Sequence, residues 1–259
     1  MIYDIIHSKD ENDFKKKCKK YNIIWSEVYK ENINSIIEYG KDTYNYIFCL
    51  KHIPISNEDF MYIHNFPKFG EIITCWRELY IYQKMENIHK NNNSENYLPL
   101  YNSFISLRKG RPYLSLLFPY IPMTLQDIMT FSSFTKFDIN SIYIQLFFLG
   151  YYLYQGNIKH NDIHIRNIII NIVTEKKNLI FIYNHKKYTL PLQDKILYLI
   201  DFGVSEIEEN NTIIFQEWKL FFSKLEELFQ IPPLFSKKNS FSEIFDIILS
   251  FHILETELF

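Results

Sequence analysis

The run His160-Asn161-Asp162-Ile163-His164-Ile165-Arg166-Asn167, followed after the apolar stretch Ile196-Leu197-Tyr198-Leu199-Ile200 by Asp201-Phe202-Gly203, gathers the residues best suited to chemistry. Asp162 and Asn167 stand five residues apart. Carboxylate and amide oxygens are hard donors of the kind magnesium accepts, and a carboxylate can orient an attacking hydroxyl or take its proton. A phosphoryl group in transfer is mostly negative charge, so an ion bridging its oxygens is the chemistry such a set would serve. Alone, the first motif could be a polar loop between a helix and a strand, and the second an ordinary turn. The pair gains weight from its order: an apolar helix leads into the first, and an apolar strand leads into the second.

Together the two motifs resemble the catalytic loop and metal-binding turn of the protein-kinase superfamily, a likeness that runs from about residue 20 to the end. The resemblance implies that Asp162 is the catalytic residue, that Asn167 and Asp201 hold Mg2+, and that the nucleotide is ATP. It also implies a strand lysine for the α- and β-phosphates. Lys51 ends the apolar run YIFCLK, and Glu78 in WRELYIYQKM is the expected helix partner, with Glu86 as a competitor. Asn22 to Tyr29 resembles the end of a glycine-rich phosphate loop and brings Ser26 and Val28 to the cofactor, with Ser26 in the place of the third glycine. The first two glycines are absent, and side chains there hinder the approach of backbone amides to phosphates. His160 is expected to pack beneath the Asp-Phe-Gly turn. His164 and Arg166 are further candidates for stabilising charge near the γ-phosphate.

Within the superfamily the chain looks most like haspin and related atypical or viral serine/threonine kinases. His164, two residues after Asp162, matches haspin-type loops, and the long KKNLIFIYNHKKYTLPLQDK insertion before Asp201 has a similar layout. Asn161 replaces the arginine that pairs with a phosphorylated activation loop, and no Ala-Pro-Glu sequence follows, so the peptide-docking surface is rebuilt or shortened. Two other readings stay open. The missing glycines allow a non-catalytic pseudokinase scaffold, and His164 also fits a small-molecule phosphotransferase of the aminoglycoside or choline kinase type.

These residues need a scaffold, and the pattern predicts one. Residues 33–53 alternate as two strands turning at Lys41-Asp42, residues 71–86 have helical spacing, and 97–120 form two strands around Lys109-Gly110. The first 120 residues are thus expected to be a sheet with one principal helix. Beyond Pro122, a short helix TLQDIMTF and a long apolar helix INSIYIQLFFLGYYLYQG are expected, then strands IRNIIINIV and ILYLIDFGV separated by a small hairpin at Asn184-His185. Helices at about 212–229 and 240–257 complete the chain. The fold class expected is α+β: one bilobal kinase-like domain, with an N-lobe over about 1–118, a hinge near Leu116 to Tyr120 and a reduced, mostly helical C-lobe over about 119–259.

Composition fits this reading. The 259 residues are 47% hydrophobic, enough for a sizeable core, and 28 basic against 30 acidic residues give no field that advertises nucleic acid or an anionic membrane. Three cysteines without metal-ligand spacing point to a reducing compartment. The first residues lack a signal-peptide pattern and no stretch is long enough to span a bilayer, so an intracellular protein is expected. The expected partner is a protein substrate, and the expected state a monomer. Abundant Ile, Asn, Lys, Tyr and Phe with only 6 Gly is the set favoured by AT-rich coding, as in viruses and parasites.

Overall fold

Alternating apolar and polar residues, broken by two-residue turns, give the chain its sheets, and apolar helical stripes give it the helices that cover them. The computed structural model describes residues 7–25, 30–31, 35–41, 46–57, 59, 75–131, 136–250 and 254–256. The chain is α+β and divides into two compact units, one of residues 1–83 with 98–120 and one of 84–97 with 121–259.

The first unit opens with helix α1 (Glu11–Lys20), whose N-cap Asp10 accepts from Asp13 N. Strands β1 (Ile24–Trp25), β2 (Lys30–Glu31), β3 (Ile36–Lys41) and β4 (Ile47–Pro54) follow, then helix α2 (Cys75–Asn91) and strands β5 (Asn102–Arg108) and β6 (Arg111–Pro119). The sheet is antiparallel, in the order β1-β3-β4-β6-β5, with β2 also on β3. Lys109 and Gly110 join β5 to β6 with φ of 49° and 77°, the two positive values a tight hairpin requires. One sheet face, carrying Phe48, Leu50, Phe104 and Leu117, packs on Phe14 and Cys18 of α1. The other meets the first turns of α2, where Tyr82 lies 4.8 Å from Phe118, ring to ring. Gly40 is needed where it stands: a Cβ there would lie 2.8 Å from the indole of Trp25 on the neighbouring strand.

Helix α1 is not announced by the sequence pattern. Only Phe14 and Cys18 of its ten residues are buried, and five lysines hide so short an apolar stripe. Among the described residues of the first 120 there are therefore two principal helices, not one. Helix α2 ends later than expected, and its last residues belong to the second unit; residues 71–74, where the expected helix starts, lie outside the described residues.

The second unit comprises helices α3 (Leu125–Phe131) and α4 (Lys136–Gln155), strands β7 (Ile158–Lys159), β8 (Ile168–Tyr183), β9 (Lys186–Leu199) and β10 (Glu206–Ile207), helices α5 (Asn211–Leu228) and α6 (Phe241–Ile248), and β11 (Leu254–Thr256). Its centre is α4, apolar on nearly every side. Phe148 stacks on Phe181 of β8 at 4.1 Å, Tyr143 on Phe235 at 4.6 Å, and Gly150 admits Trp218 of α5 so closely that a Cβ would sit 2.6 Å from the indole. Burial of each such ring contributes roughly 1.5–3 kcal/mol. The two strands expected around a small hairpin are one long ribbon: β8 and β9 pair from Ile168↔Leu199 to Tyr183↔Lys186, with register shifts between Ile172 and Leu179. Asn184 and His185 turn it with positive φ. The final helix is shorter than the 240–257 expected. It stops at Ile248, and Leu254–Thr256 form a third strand on β9.

Candidate active site

The loop from His160 to Asn167 is held at both ends by strands. Before it, β7 pairs with β10, Lys159 opposite Glu206. After it, Asn167 leads into β8, and its carbonyl accepts from Ile200 N at 3.0 Å, one residue before Asp201. The base of the β8–β9 ribbon thus fixes the Asn167 and Asp201 segments side by side. Asp201 itself has φ 66° and is exposed, a left-handed conformation that aspartate tolerates better than most residues.

Inside the loop, Asn167 is buried, and its Nδ2 donates to the Asp162 carbonyl at 3.0 Å and to Asp162 Oδ2 at 3.2 Å. The amide nitrogen being so committed, Oδ1 is the acceptor that Asn167 retains. The Asp162 side chain is 50% exposed, and His164 Nε2 lies 3.4 Å from the same Oδ2. Arg166 is exposed, and its backbone N–H donates to His164 Nδ1.

His160 is fully buried against Phe202, ring centroids 5.1 Å apart. Its Nδ1 accepts from Asp162 N at 3.3 Å, and its Nε2 donates to the Ile200 carbonyl at 3.0 Å, so one neutral ring ties the loop to the strand before Asp201. Burial pushes its pKa down to about 4. Asn161, φ 66°, donates from Nδ2 to the Val204 carbonyl at 3.0 Å, a second tie between loop and turn at the position where the resemblance leads one to expect arginine.

A residue that no motif singles out underlies all of this. Glu217 on α5 accepts from the backbone N–H of His160 at 2.9 Å and from that of Asn161. Burial raises its pKa, and those two hydrogen bonds work against the rise. The available signal was its position between Ile214 and Trp218, on the apolar side of an amphipathic helix, where a lone carboxylate needs a polar partner.

In the first unit Lys51 Nζ donates to Glu78 Oε1 at 2.7 Å, with side-chain exposures of 13% and 4%. Lys51 lies mid-sheet, opposite Ile37 and Leu116, and Glu78 is in the first turn of α2. Glu86 instead pairs with Lys90, four residues along the same helix. The loop candidates Ser26 and Val28 lie outside the described residues.

The oxygen donors of Asp201 and Asn167 suit magnesium, which takes one or two protein oxygens and completes its shell with phosphate oxygens and water. Among the described residues no three His, Cys, Asp or Glu side chains cluster tightly enough to hold an ion by themselves. No described helix is long and apolar enough to cross a membrane. No protein-family model matches the chain, and no curated protein matches it significantly.

Proposed function

We propose that the chain has a bilobal protein-kinase-like fold and is a magnesium- and ATP-dependent phosphotransferase that acts on serine or threonine hydroxyls of a protein. The observation that carries this reading is the Asp162–Asn167 hydrogen-bonded pair, joined through the Asn167–Ile200 bond to the segment bearing Asp201. The partly buried Lys51–Glu78 pair supports it independently, because a lysine held by a carboxylate at a fixed point of a sheet is what gripping a nucleotide's phosphates requires.

In this reading Asp162 orients the acceptor hydroxyl and receives its proton late in the transfer, and Lys51 holds the α- and β-phosphates. Asn167 and Asp201 are the residues that would hold magnesium, which when bound neutralises charge on the phosphate oxygens. His160 and Glu217 keep the loop backbone in place so that little reorganisation is needed at the moment of reaction.

The test is transfer of labelled γ-phosphate to casein or histone, run beside small alcohols and aminoglycosides as competing acceptors. Transfer to protein that requires magnesium and disappears in Asp201→Ala is the expected result. Transfer to the small acceptors alone would move the protein to the small-molecule class, and full activity of Asp201→Ala would remove the assignment.

A further inference from the structure

Two histidines of the loop use the same device. His160 Nδ1 accepts from the backbone N–H two residues on, Asp162, and His164 Nδ1 accepts from the backbone N–H two residues on, Arg166, at 3.3 and 3.2 Å. A ring nitrogen that accepts carries no proton, so the single proton of each neutral ring sits on Nε2. For His160 that proton goes to the Ile200 carbonyl. For His164 the group in front of Nε2 is Asp162 Oδ2, at 3.4 Å.

The same oxygen receives Asn167 Nδ2 at 3.2 Å. Asn167 Nδ2 thus donates to Oδ2 while His164 Nε2 faces the same oxygen, and among the described residues none is bonded to Oδ1. The 3.4 Å separation is long for a hydrogen bond to a carboxylate, and bonds of this kind commonly shorten when the substrate arrives.

We infer that His164 is a positioning residue for Asp162: fixed as its Nε2–H tautomer, it joins Asn167 in holding Oδ2 and so presents Oδ1 to the acceptor hydroxyl. The inference rests on the phosphotransfer reading above. In that step the hydroxyl oxygen forms its bond to the γ-phosphorus, and the bond from that phosphorus to the bridging oxygen of ATP breaks with its electron pair leaving on ADP. The hydroxyl proton passes to Oδ1. A carboxylate free to rotate would offer either oxygen at any angle; one pinned at Oδ2 offers Oδ1 in one direction.

His164→Leu removes the donor and keeps the bulk, whereas His164→Gln restores an N–H near the position of Nε2. The expected result is a fall in kcat of roughly 10- to 100-fold for His164→Leu with KM for ATP within about twofold and an unchanged Tm, and recovery of most of the loss in His164→Gln. Unchanged kcat in His164→Leu, or equal losses in both variants, would overturn the role. A second readout does not depend on turnover. Long-range 1H–15N correlation spectra of the wild type, with His164 assigned by its loss in His164→Leu, should show an unprotonated Nδ1 and a protonated Nε2 whose signal moves in Asp162→Ala. A ring protonated at Nδ1, or an Nε2 signal indifferent to Asp162, overturns the contact. If the wild type transfers no phosphate while these spectra are as expected, the phosphotransfer reading falls and the His164–Asp162 contact stands.

Discussion

Two clusters in this molecule use nearly the same side chains to opposite ends. In the first unit, Glu38, His52, Ser115 and Ser106 form a chain across four neighbouring strands. His52 Nε2 lies 3.3 Å from Glu38 Oε2, its Nδ1 2.7 Å from Ser115 Oγ, and Ser115 Oγ 2.7 Å from Ser106 Oγ, while Arg108 pairs with the other oxygen of Glu38. On paper this is a carboxylate–histidine–serine relay. Yet His52, Ser106 and Ser115 are all buried, and each polar atom is spent on another member of the chain. In the second unit, Asp162, His164 and Asn167 are less completely bonded, and the carboxylate is half exposed with Oδ1 left over. The contrast separates structure from function: a closed, buried network specifies a sheet, whereas an open valence at the surface can meet a substrate.

The largest effect expected from disturbing the closed network is on stability. Glu38→Ala leaves Arg108 and the buried His52 without their carboxylate, and removing one partner of a buried pair typically costs about 3–5 kcal/mol. The upper end does not apply here, because Glu38 and Arg108 keep some contact with water. Chemical denaturation should show a loss of about 3 kcal/mol. A change near zero would mean that the relay is not closed and that its histidine and serines are candidates for chemistry after all.

Acid should act on both regions through one cause. Burial holds His52 and His160 in their neutral forms, His160 with its pKa at about 4 against an ordinary 6.5. Between those values the unfolded chain binds a proton that the folded chain refuses, so stability falls as pH drops from 6.5 toward 4. The His160 displacement alone corresponds to about 3 kcal/mol across that window. His89 adds to the same acid limb: it is fully buried between Tyr97 and Tyr152, neither ring nitrogen has a hydrogen-bond partner among the described residues, and its pKa falls to about 3. Urea titrations at neutral pH and near the lower end of the window measure it, and equal stabilities would contradict the buried, neutral state of these rings.

Local signals in the sequence carried most of the scaffold. Alternation and turn chemistry placed the two hairpins at Lys109-Gly110 and Asn184-His185, because both turns need residues that accept positive φ. The apolar run of α4 was equally plain. Helix α1 was not, since its buried stripe is two residues and its lysines read as solvent-facing. The apolar pattern of the last helix continues past Ser250 through Phe251 to Leu254, and only pairing with β9 reveals the strand.

The site divides in the same way. Asp162, Asn167 and Asp201 are legible as candidates by spacing and order. Motif order points to Lys51, and the place of Glu78 beside apolar Trp76 and Leu79 on the next helix points to it as the partner ahead of Glu86; geometry joins Lys51 and Glu78. The partners of Glu217 and the Glu38–His52–Ser115–Ser106 chain could not be seen, because they stand 9 to 63 residues apart and depend on strand register and helix packing. In the sequence Asn161 marks only a missing arginine, yet its amide bond to Val204 makes it a positive feature of the loop.

The most direct test of the central claim is magnesium-dependent ATP binding, followed by the rise in Tm on adding nucleotide with and without the ion. The expected result is a clear rise for the wild type that needs both magnesium and ATP, is lost in Asp201→Ala and is weakened in Lys51→Met. A saturating excess of about 100 times the Kd should stabilise the protein by about 2.7 kcal/mol. No shift with magnesium and ATP, or a shift indifferent to Asp201, would contradict it.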